Sequence, residues 1–364
     1  MVTALLVVSA VSLGSFFYAE AVAASLSTST EEKAYVAYGG DAQGLISGST
    51  ELPGHFRYPL TTLDYGNQAA VLGRPDGAYA DVLAADSSTL GSVLHWYPDW
   101  GPDPRPLLPS LAHTTDNRLP VVITDTVPRD TSAIWVQGTR VPVRVVARVH
   151  VFPGMSAGVP LVLVDRGLFN ALTKKAGVLD PLNDPPTYVW GKGPPAAVAH
   201  TLAAPPVEAA FVSGVDAFRK QPDVRAATRA FSYMRLIAAA SGLLVFLGLV
   251  LYLQTRQRSQ AVASSLAARM GLRRRTEILS LALELGAITL IAAIVGGVVA
   301  LAAAEPVIAH LDPLPDYPPG TDLTIPLAAI LGSAAGLVVV AIAAGAFTSW
   351  TSRRTNMAEA LRVA

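Results

Sequence analysis

Residues 231–253 read FSYMRLIAAASGLLVFLGLVLYL, and residues 254–277 continue as QTRQRSQAVASSLAARMGLRRRTE. A helix needs about 20 apolar residues, rising about 1.5 Å each, to cross about 30 Å of hydrocarbon. The first segment is long enough to span a bilayer. The second carries Arg256, Arg258, Arg269, Arg273, Arg274 and Arg275 and no acid before Glu277. Basic loops stay on the cytoplasmic side of a membrane. A span followed at once by a block of arginine therefore sets both a crossing and its direction.

Three further apolar stretches meet the same length requirement: about Val2–Ala24, Ile278–Ala304 and Leu323–Trp350. The loop between the last two carries Glu305, Asp312, Asp316 and Asp322 with no Lys or Arg, and the tail carries Arg353, Arg354 and Arg362. These charges place both termini and the loop 254–277 in the cytoplasm, and the acidic loop outside. The expected fold class is an α+β membrane protein with four transmembrane helices, one N-terminal and three C-terminal. A large α+β extracytoplasmic domain is inserted between the first two. Its parts are helix one in residues 1–25, the exported domain in 26–228, and helices two to four in 229–364, with the cytoplasmic loop 254–277 and tail 351–364. Only 15% of the residues are charged and 51% are hydrophobic, against about 25% charged in soluble domains. The N-terminal run lacks the basic start of a signal peptide and exceeds its apolar core of about 7–15 residues. It reads as an uncleaved helix, although Ala21-Val22-Ala23 has the small residues of a cleavage site.

The chain has no cysteine, so the exported domain relies on a core rather than on disulfides. Strands are predicted at 71–73, 79–85, 119–124, 133–136, 141–151, 160–165 and 187–191. Helices are predicted at 86–94, with Asp86 as N-cap, and at 165–176 and 196–203, with a further start at 107–111. Residues 215–228 lead helically into the second span. Val143, Val145, Ala147, Val149 and Val151 alternate with Arg144, Val146, Arg148 and His150, the period of a sheet with one wet face. Mixed helices and strands give an α+β domain.

Several motifs bear on chemistry. Gly154-Met155-Ser156-Ala157-Gly158 matches the nucleophile pattern G-x-S-x-G. That pattern needs a helix after it, whereas Pro160 and a strand follow, so the segment reads as a hairpin loop. The six histidines are scattered, with no H-E-x-x-H spacing, and no metal or other cofactor is expected. No phosphate-binding G-x-x-x-x-G-K-[ST] occurs, so the chain reads as no enzyme and any ATP is hydrolysed by another polypeptide. Nothing points to nucleic acid. In the arginine loop, Val262, Leu266 and Met270 recur every four residues and share one helical face. Gly271 ends that helix. The face fits either a cytoplasmic partner or the lipid surface.

The order Arg256-x-Arg258, amphipathic helix to Met270, Gly271-Leu272-Arg273-Arg274, then Leu281-Ala282-Leu283-Glu284-Leu285-Gly286 resembles the FtsX/MacB-like ABC transporter permeases, in their actinobacterial branch. Ala358-Glu359-Ala360-Leu361-Arg362 is similar to the family's closing motif, with Met357 where Pro is commoner. Segments 86–100, 111–124, 141–154 and 160–165 extend the resemblance outside the membrane. It implies a permease subunit at the cell membrane that has no ATP site of its own. Its partners would be a separate ABC ATPase, a second permease half or a second copy of the chain, and membrane lipids. It implies coupling to the ATPase through Arg256, Arg258, Val262, Leu266, Met270, Gly271 and Arg273, with movement passed to the exported domain. Family members usually carry a cytoplasmic amphipathic segment before the first helix, and this chain does not, so half of a longer permease is a further expectation. A membrane-anchored receptor or adaptor without an ATPase is the alternative.

Ionisable residues inside spans mark functional positions. Glu284 lies inside the third span and is expected to face the helix bundle behind the coupling segment. Glu20 and Arg235 lie level near the outer membrane face and are expected to pair across the first two helices. Gly332-Ser-Ala-Ala-Gly336 matches the close-packing pattern G-x-x-x-G.

Overall fold

A computed structural model describes residues 2–47, 52, 56–114, 116–230 and 274–308, with parts of 232–247 and 310–336. The chain divides into two compact units. One holds Met1–Ser27, Ala226–Leu311 and Thr321–Ala364, and the other holds Thr28–Arg225 and Asp312–Gly320.

In the first unit, α1 (Val2–Tyr38) contributes its N-terminal part and α6 is Arg274–Ile308. Two helices among the described residues are long and apolar enough to cross a membrane, Leu6–Tyr38 and Leu290–Ile308. Their contact is made of small and apolar residues. Ala10, Leu13 and Phe17 pack against Ala292 and Ala300, and Val22 and Leu26 against Ala304 and Ile308. Gly14 and Gly296 meet at the crossing, where a Cβ on Gly14 would stand 2.9 Å from the Gly296 carbonyl oxygen. Such glycines let two backbones approach closely. The other side of α6 is apolar and exposed: Leu290, Ile294 and Val298 form a stripe at helical spacing, each more than half exposed.

Sequence reading ends the first helix near Ala24, but α1 runs to Tyr38. Residues 25–38 contain no Gly or Pro to break it. It stops where Gly39 takes φ +69° and its N–H bonds the Tyr35 carbonyl at 2.8 Å.

The second unit is a nine-stranded mixed sheet domain. Its strands are β1 (Ala42–Ile46), β2 (Leu60–Leu72), β3 (Tyr79–Ala85), β4 (Leu119–Thr124), β5 (Ala133–Val136), β6 (Thr139–Val149), β7 (Leu161–Asp165), β8 (Thr187–Gly191) and β9 (Ala210–Gly214). Its helices are α2 (Ser87–Val93), α3 (Arg166–Lys175), α4 (Pro195–Ala203) and α5 (Val215–Arg219). The strand order is β3-β7-β4-β6-β5-β2-β8-β1-β9, and β3 also pairs with β2. Strands β2, β3, β7, β4, β6 and β5 thus close a ring, from which β8, β1 and β9 extend. Closure removes edges that would otherwise pair with other chains.

Strands β2, β3, β4, β6 and β7 each contribute to two different cores, and β5 to the inner one alone. The inner cluster draws on all six strands: Ala70 and Leu72 of β2, Val82 of β3, Val121 of β4, Ile134 of β5, Val143 of β6 and Val164 of β7, plugged by Phe169 of α3. The outer cluster takes Leu63 of β2, Leu83 of β3, Val122 of β4 and Leu163 of β7 and covers them with Leu90 of α2, Trp100, Leu108 and Val36 of α1. Asp86 caps α2 by accepting from Ser88 N at 3.0 Å, and Asp165 caps α3 by accepting from Leu168 N at 2.9 Å.

Two sequence readings of this domain are corrected. The alternation along β6 breaks at a bulge, where Val121 faces Val145 but the next residue, Val122, faces Ala147. The extra residue reverses the phase. Val143 therefore lies in the inner core and Val149 in the outer one, while Val145 is exposed. The 154–158 loop is also no hairpin, because β4 lies between β6 and β7.

Candidate functional site

The expected coupling residues Arg256, Arg258, Val262, Leu266, Met270, Gly271 and Arg273 lie outside the described residues, as does Arg235. The proposed Glu20–Arg235 pair therefore has no geometry here. Glu20 sits on α1, half-buried and engaged in an interaction. Glu284 falls within α6, its side chain outside the described set. Gly332 and Gly336 are helical.

Within the first unit, α1 and α6 with Met234 and Ile237 line an apolar cavity of about 620 Å³ around the Gly14–Gly296 crossing. Its walls offer almost no hydrogen-bonding group, so it suits hydrocarbon rather than a polar solute.

Within the second unit, sequence reasoning assigned no role to Lys33, which is the most deeply buried cation among the domain's described residues. Its side chain is 1% exposed and forms an ion pair with the Asp312 carboxylate, itself 7% exposed. The ammonium also donates to the Leu314 carbonyl at 2.8 Å, and Asp312 accepts from Leu314 N at 3.0 Å. Leu314 packs in a cluster with Ala34, Val215 and Phe218, and the Tyr317 ring meets that of Phe218 edge-on at 6.2 Å. The proline-rich acidic segment 312–320 is thereby fastened to α1 and α5. A buried charge is tolerated only when paired and hydrogen-bonded, and both conditions are met. The signal in sequence was available: a lone Lys between Ala34 and two Glu, and an acid opening a Pro-rich loop 279 positions away.

A second polar knot joins the end of α1 to the sheet. Asp41 accepts from Gly193 N at 2.8 Å, His95 Nε2 at 3.1 Å and Tyr35 Oη at 3.2 Å. Burial pushes the Asp41 carboxyl up, but the hydrogen bonds from His95, Gly193 and Tyr35 outweigh it and hold the group below the usual carboxylate range. The Tyr35 and His95 rings lie 4.2 Å apart, tilted by 36°. Across the sheet, Arg166 Nε lies 2.7 Å from Asp64 Oδ2 and its guanidinium donates to Thr62 Oγ1 at 2.8 Å, with Thr187 Oγ1 donating to Asp64 at 2.7 Å. These groups tie α3 to β2 and β8.

The chain thus passes between its two units at residues 27/28, 225/226, 311/312 and 320/321. Close in sequence to these crossings, and within the second unit, lie fastened segments: the end of α1 through Lys33, α5 through Phe218, and the loop 312–320 through Asp312. Residues 231–357, about a third of the chain, match the family model described as FtsX-like permease C-terminal.

The chain carries an FtsX-like permease C-terminal domain.

No curated protein matches the chain. The FtsX-like match includes the whole of 254–277 and all of α6. The match supports an ABC transporter permease in the general sense; FtsX-like permeases are membrane components of transporters and work with ABC ATPase partners.

Proposed function

We propose that the chain is the permease subunit, or half of one, of an FtsX/MacB-like ABC system. Closure of a separate ATPase pushes the cytoplasmic segment 254–277, the apolar helices shift, and the sheet domain moves outside the membrane. The observation that carries this reading is the FtsX-like match across residues 231–357, which contains the arginine-rich segment between two spans. Val262, Leu266 and Met270 offer the apolar face to the ATPase. Arg256, Arg258 and Arg273 flank it and hold it at the membrane surface, and Glu284 supports the helix behind. On the outer side, the Lys33–Asp312 ion pair fastens the segment after α6 to the sheet domain, which provides a route for movement of that helix. A second copy of the chain or a second permease half completes the assembly.

The reading is tested by affinity purification of the full chain from its native membranes. An ABC ATPase is expected to copurify, and Leu266→Asp or Met270→Asp is expected to remove it while leaving the yield of the chain unchanged. If a kinase or regulator copurifies in place of an ATPase, the receptor reading holds instead. Equal recovery of the ATPase with both variants removes the coupling assignment.

A further inference from the structure

The sheet domain holds a groove of about 600 Å³ that the coupling account leaves unused. Its floor follows from strand register. Val71 of β2 is directly opposite Tyr79 of β3 on one side and Trp135 of β5 on the other. Residues directly opposite share a face of the sheet. Since Ala70 and Leu72 point into the inner core, Val71 and its two aromatic neighbours point outward. Two strand spacings separate the aromatic positions by about 9–10 Å. Tyr79, at the start of β3, is 60% exposed, and Trp135 is half-buried, its indole N–H reaching the Gly73 carbonyl at 3.4 Å.

The rim is uncharged but for one acid. It carries Asn67, Gln68, Gln137, Asn183 and Asp184, with no Lys, Arg or His among the lining residues. The backbone is committed to holding these groups in place. Gln68 N donates to Asp81 at 2.8 Å, Asn183 N to Asp180 at 3.0 Å and Asp184 N to Asp180 at 2.7 Å. Gln68, Gln137, Asn183 and Asp184 all take positive φ, between 49° and 59°, a conformation that side chains other than Gly, Asn and Asp seldom adopt. Gln68 and Gln137 are strained in it, and strain of this kind is found at ligand sites. The side chains of Asn67, Gln68, Asn183 and Asp184 make no hydrogen bond to any described residue, so their donors and acceptors are available to a ligand.

Each part of this arrangement selects against some ligands. With no cation on the rim, a phosphate or carboxylate would meet the Asp184 charge unbalanced. An exposed ring and a half-buried one, on a surface shared by amide side chains and the prolines Pro181, Pro185 and Pro186, favour a ligand with flat C–H faces, which rest on the electron-rich faces of the aromatics. Amides that both donate and accept match hydroxyl groups, which do the same. The ring separation suits a ligand of repeating units rather than a single ring, and the volume lies in the range of small-molecule sites, about 300–1,000 Å³. We propose that this groove binds a neutral oligosaccharide, with pyranose faces on Tyr79 and Trp135 and hydroxyls on Asn67, Gln68, Asn183 and Asp184. This assignment stands on the sheet domain alone and does not depend on the ATPase coupling.

The test uses the full chain in lipid nanodiscs, so that no glycosidic detergent competes. Neutral trisaccharides of glucose, mannose, galactose and N-acetylglucosamine are titrated against it by calorimetry. At least one is expected to bind saturably with Kd below about 5 mM. Tyr79→Ala and Trp135→Ala should each weaken that trisaccharide at least about tenfold, and Trp135→Phe should restore most of the binding because it keeps a ring. Tyr79 is exposed, and an unchanged unfolding temperature of Tyr79→Ala confirms that its loss is local. The proposal is overturned if no trisaccharide binds in that range, if binding survives both alanine variants, or if a hexose phosphate binds at least about tenfold tighter than its parent hexose.

Discussion

Lys33→Met offers the sharpest test of how the segment 312–320 is held. The wild-type ammonium is 1% exposed and the Asp312 carboxylate 7% exposed. Both have therefore given up their water, and each depends on the other. Methionine preserves most of the side-chain volume and its packing beside Ala34 and Leu314, but it leaves a carboxylate in the interior without its cation. Breaking a buried pair from one side costs about 3–5 kcal/mol, which is about two to four orders of magnitude in an equilibrium constant. The segment should come loose rather than bury the charge, taking Leu314 and Tyr317 away from Phe218. Hydrogen exchange read by mass spectrometry reports this directly. Leu314 N–H is bonded to Asp312 and Tyr317 N–H to the Leu314 carbonyl at 3.2 Å. Both should exchange at least about a hundredfold faster in Lys33→Met. The double variant Lys33→Met/Asp312→Leu removes both charges and should recover most of the protection at Tyr317 N–H, whose acceptor is the Leu314 carbonyl, though not at Leu314 N–H, whose acceptor goes with Asp312, because replacing a buried pair by apolar groups is near neutral or stabilising. Exchange within about threefold of wild type in the single variant, or a double variant as unprotected as the single at Tyr317 N–H, would refute the reasoning.

Two further outcomes follow from the same geometry. Gly296→Val should separate α1 from α6, since a Cβ at Gly296 would press on the Ala10 carbonyl and stand 2.9 Å from Gly14 N. A loss of about 1–3 kcal/mol is expected, read as reduced disulfide cross-linking between cysteines placed at Leu13 and Ala292. Asp41 ionises below the usual carboxylate range in the folded protein, so its contribution to stability is present above about pH 3.9 and disappears as pH falls through the lower folded value. Acid unfolding of Asp41→Asn, followed by tryptophan fluorescence, should lose the part of the pH dependence that lies in that window. An unchanged acid profile would place the dependence elsewhere.

What could be seen in the sequence depended on how local its cause was. Strands β3 and β4 appear in sequence as apolar runs bounded by turn residues, and α2 and α3 announce themselves through the caps Asp86 and Asp165. Only the last few residues of β2 were legible. Its first half contains Thr61, Thr62 and Asp64, which look like loop residues until Arg166 and Thr187, more than a hundred positions away, satisfy them. Strands β1 and β9 are short and contain Gly44 and Gly214, and their pairing partners lie far off in the chain. Ring closure rests on parallel pairs between distant strands, β3 with β7 and β4 with β6, and no local pattern encodes it. The bulge at β6 reverses an alternation that reads as unbroken in one dimension. The apolar stretches and the arginine segment were plain because membrane insertion and charge placement act on composition over a short window. Lys33 and Asp312 are ordinary charges in sequence, and only their burial gives them a role.

The central claim is that segment 254–277 lies in the cytoplasm and is covered there by the ATPase. A single cysteine at Ser264, in this cysteine-free chain, measures both at once with a membrane-impermeant maleimide. The account predicts no labelling from outside intact cells, labelling in inside-out vesicles stripped of the ATPase, and protection when the ATPase is added back. Labelling from outside, or equal labelling with and without the ATPase, would contradict it.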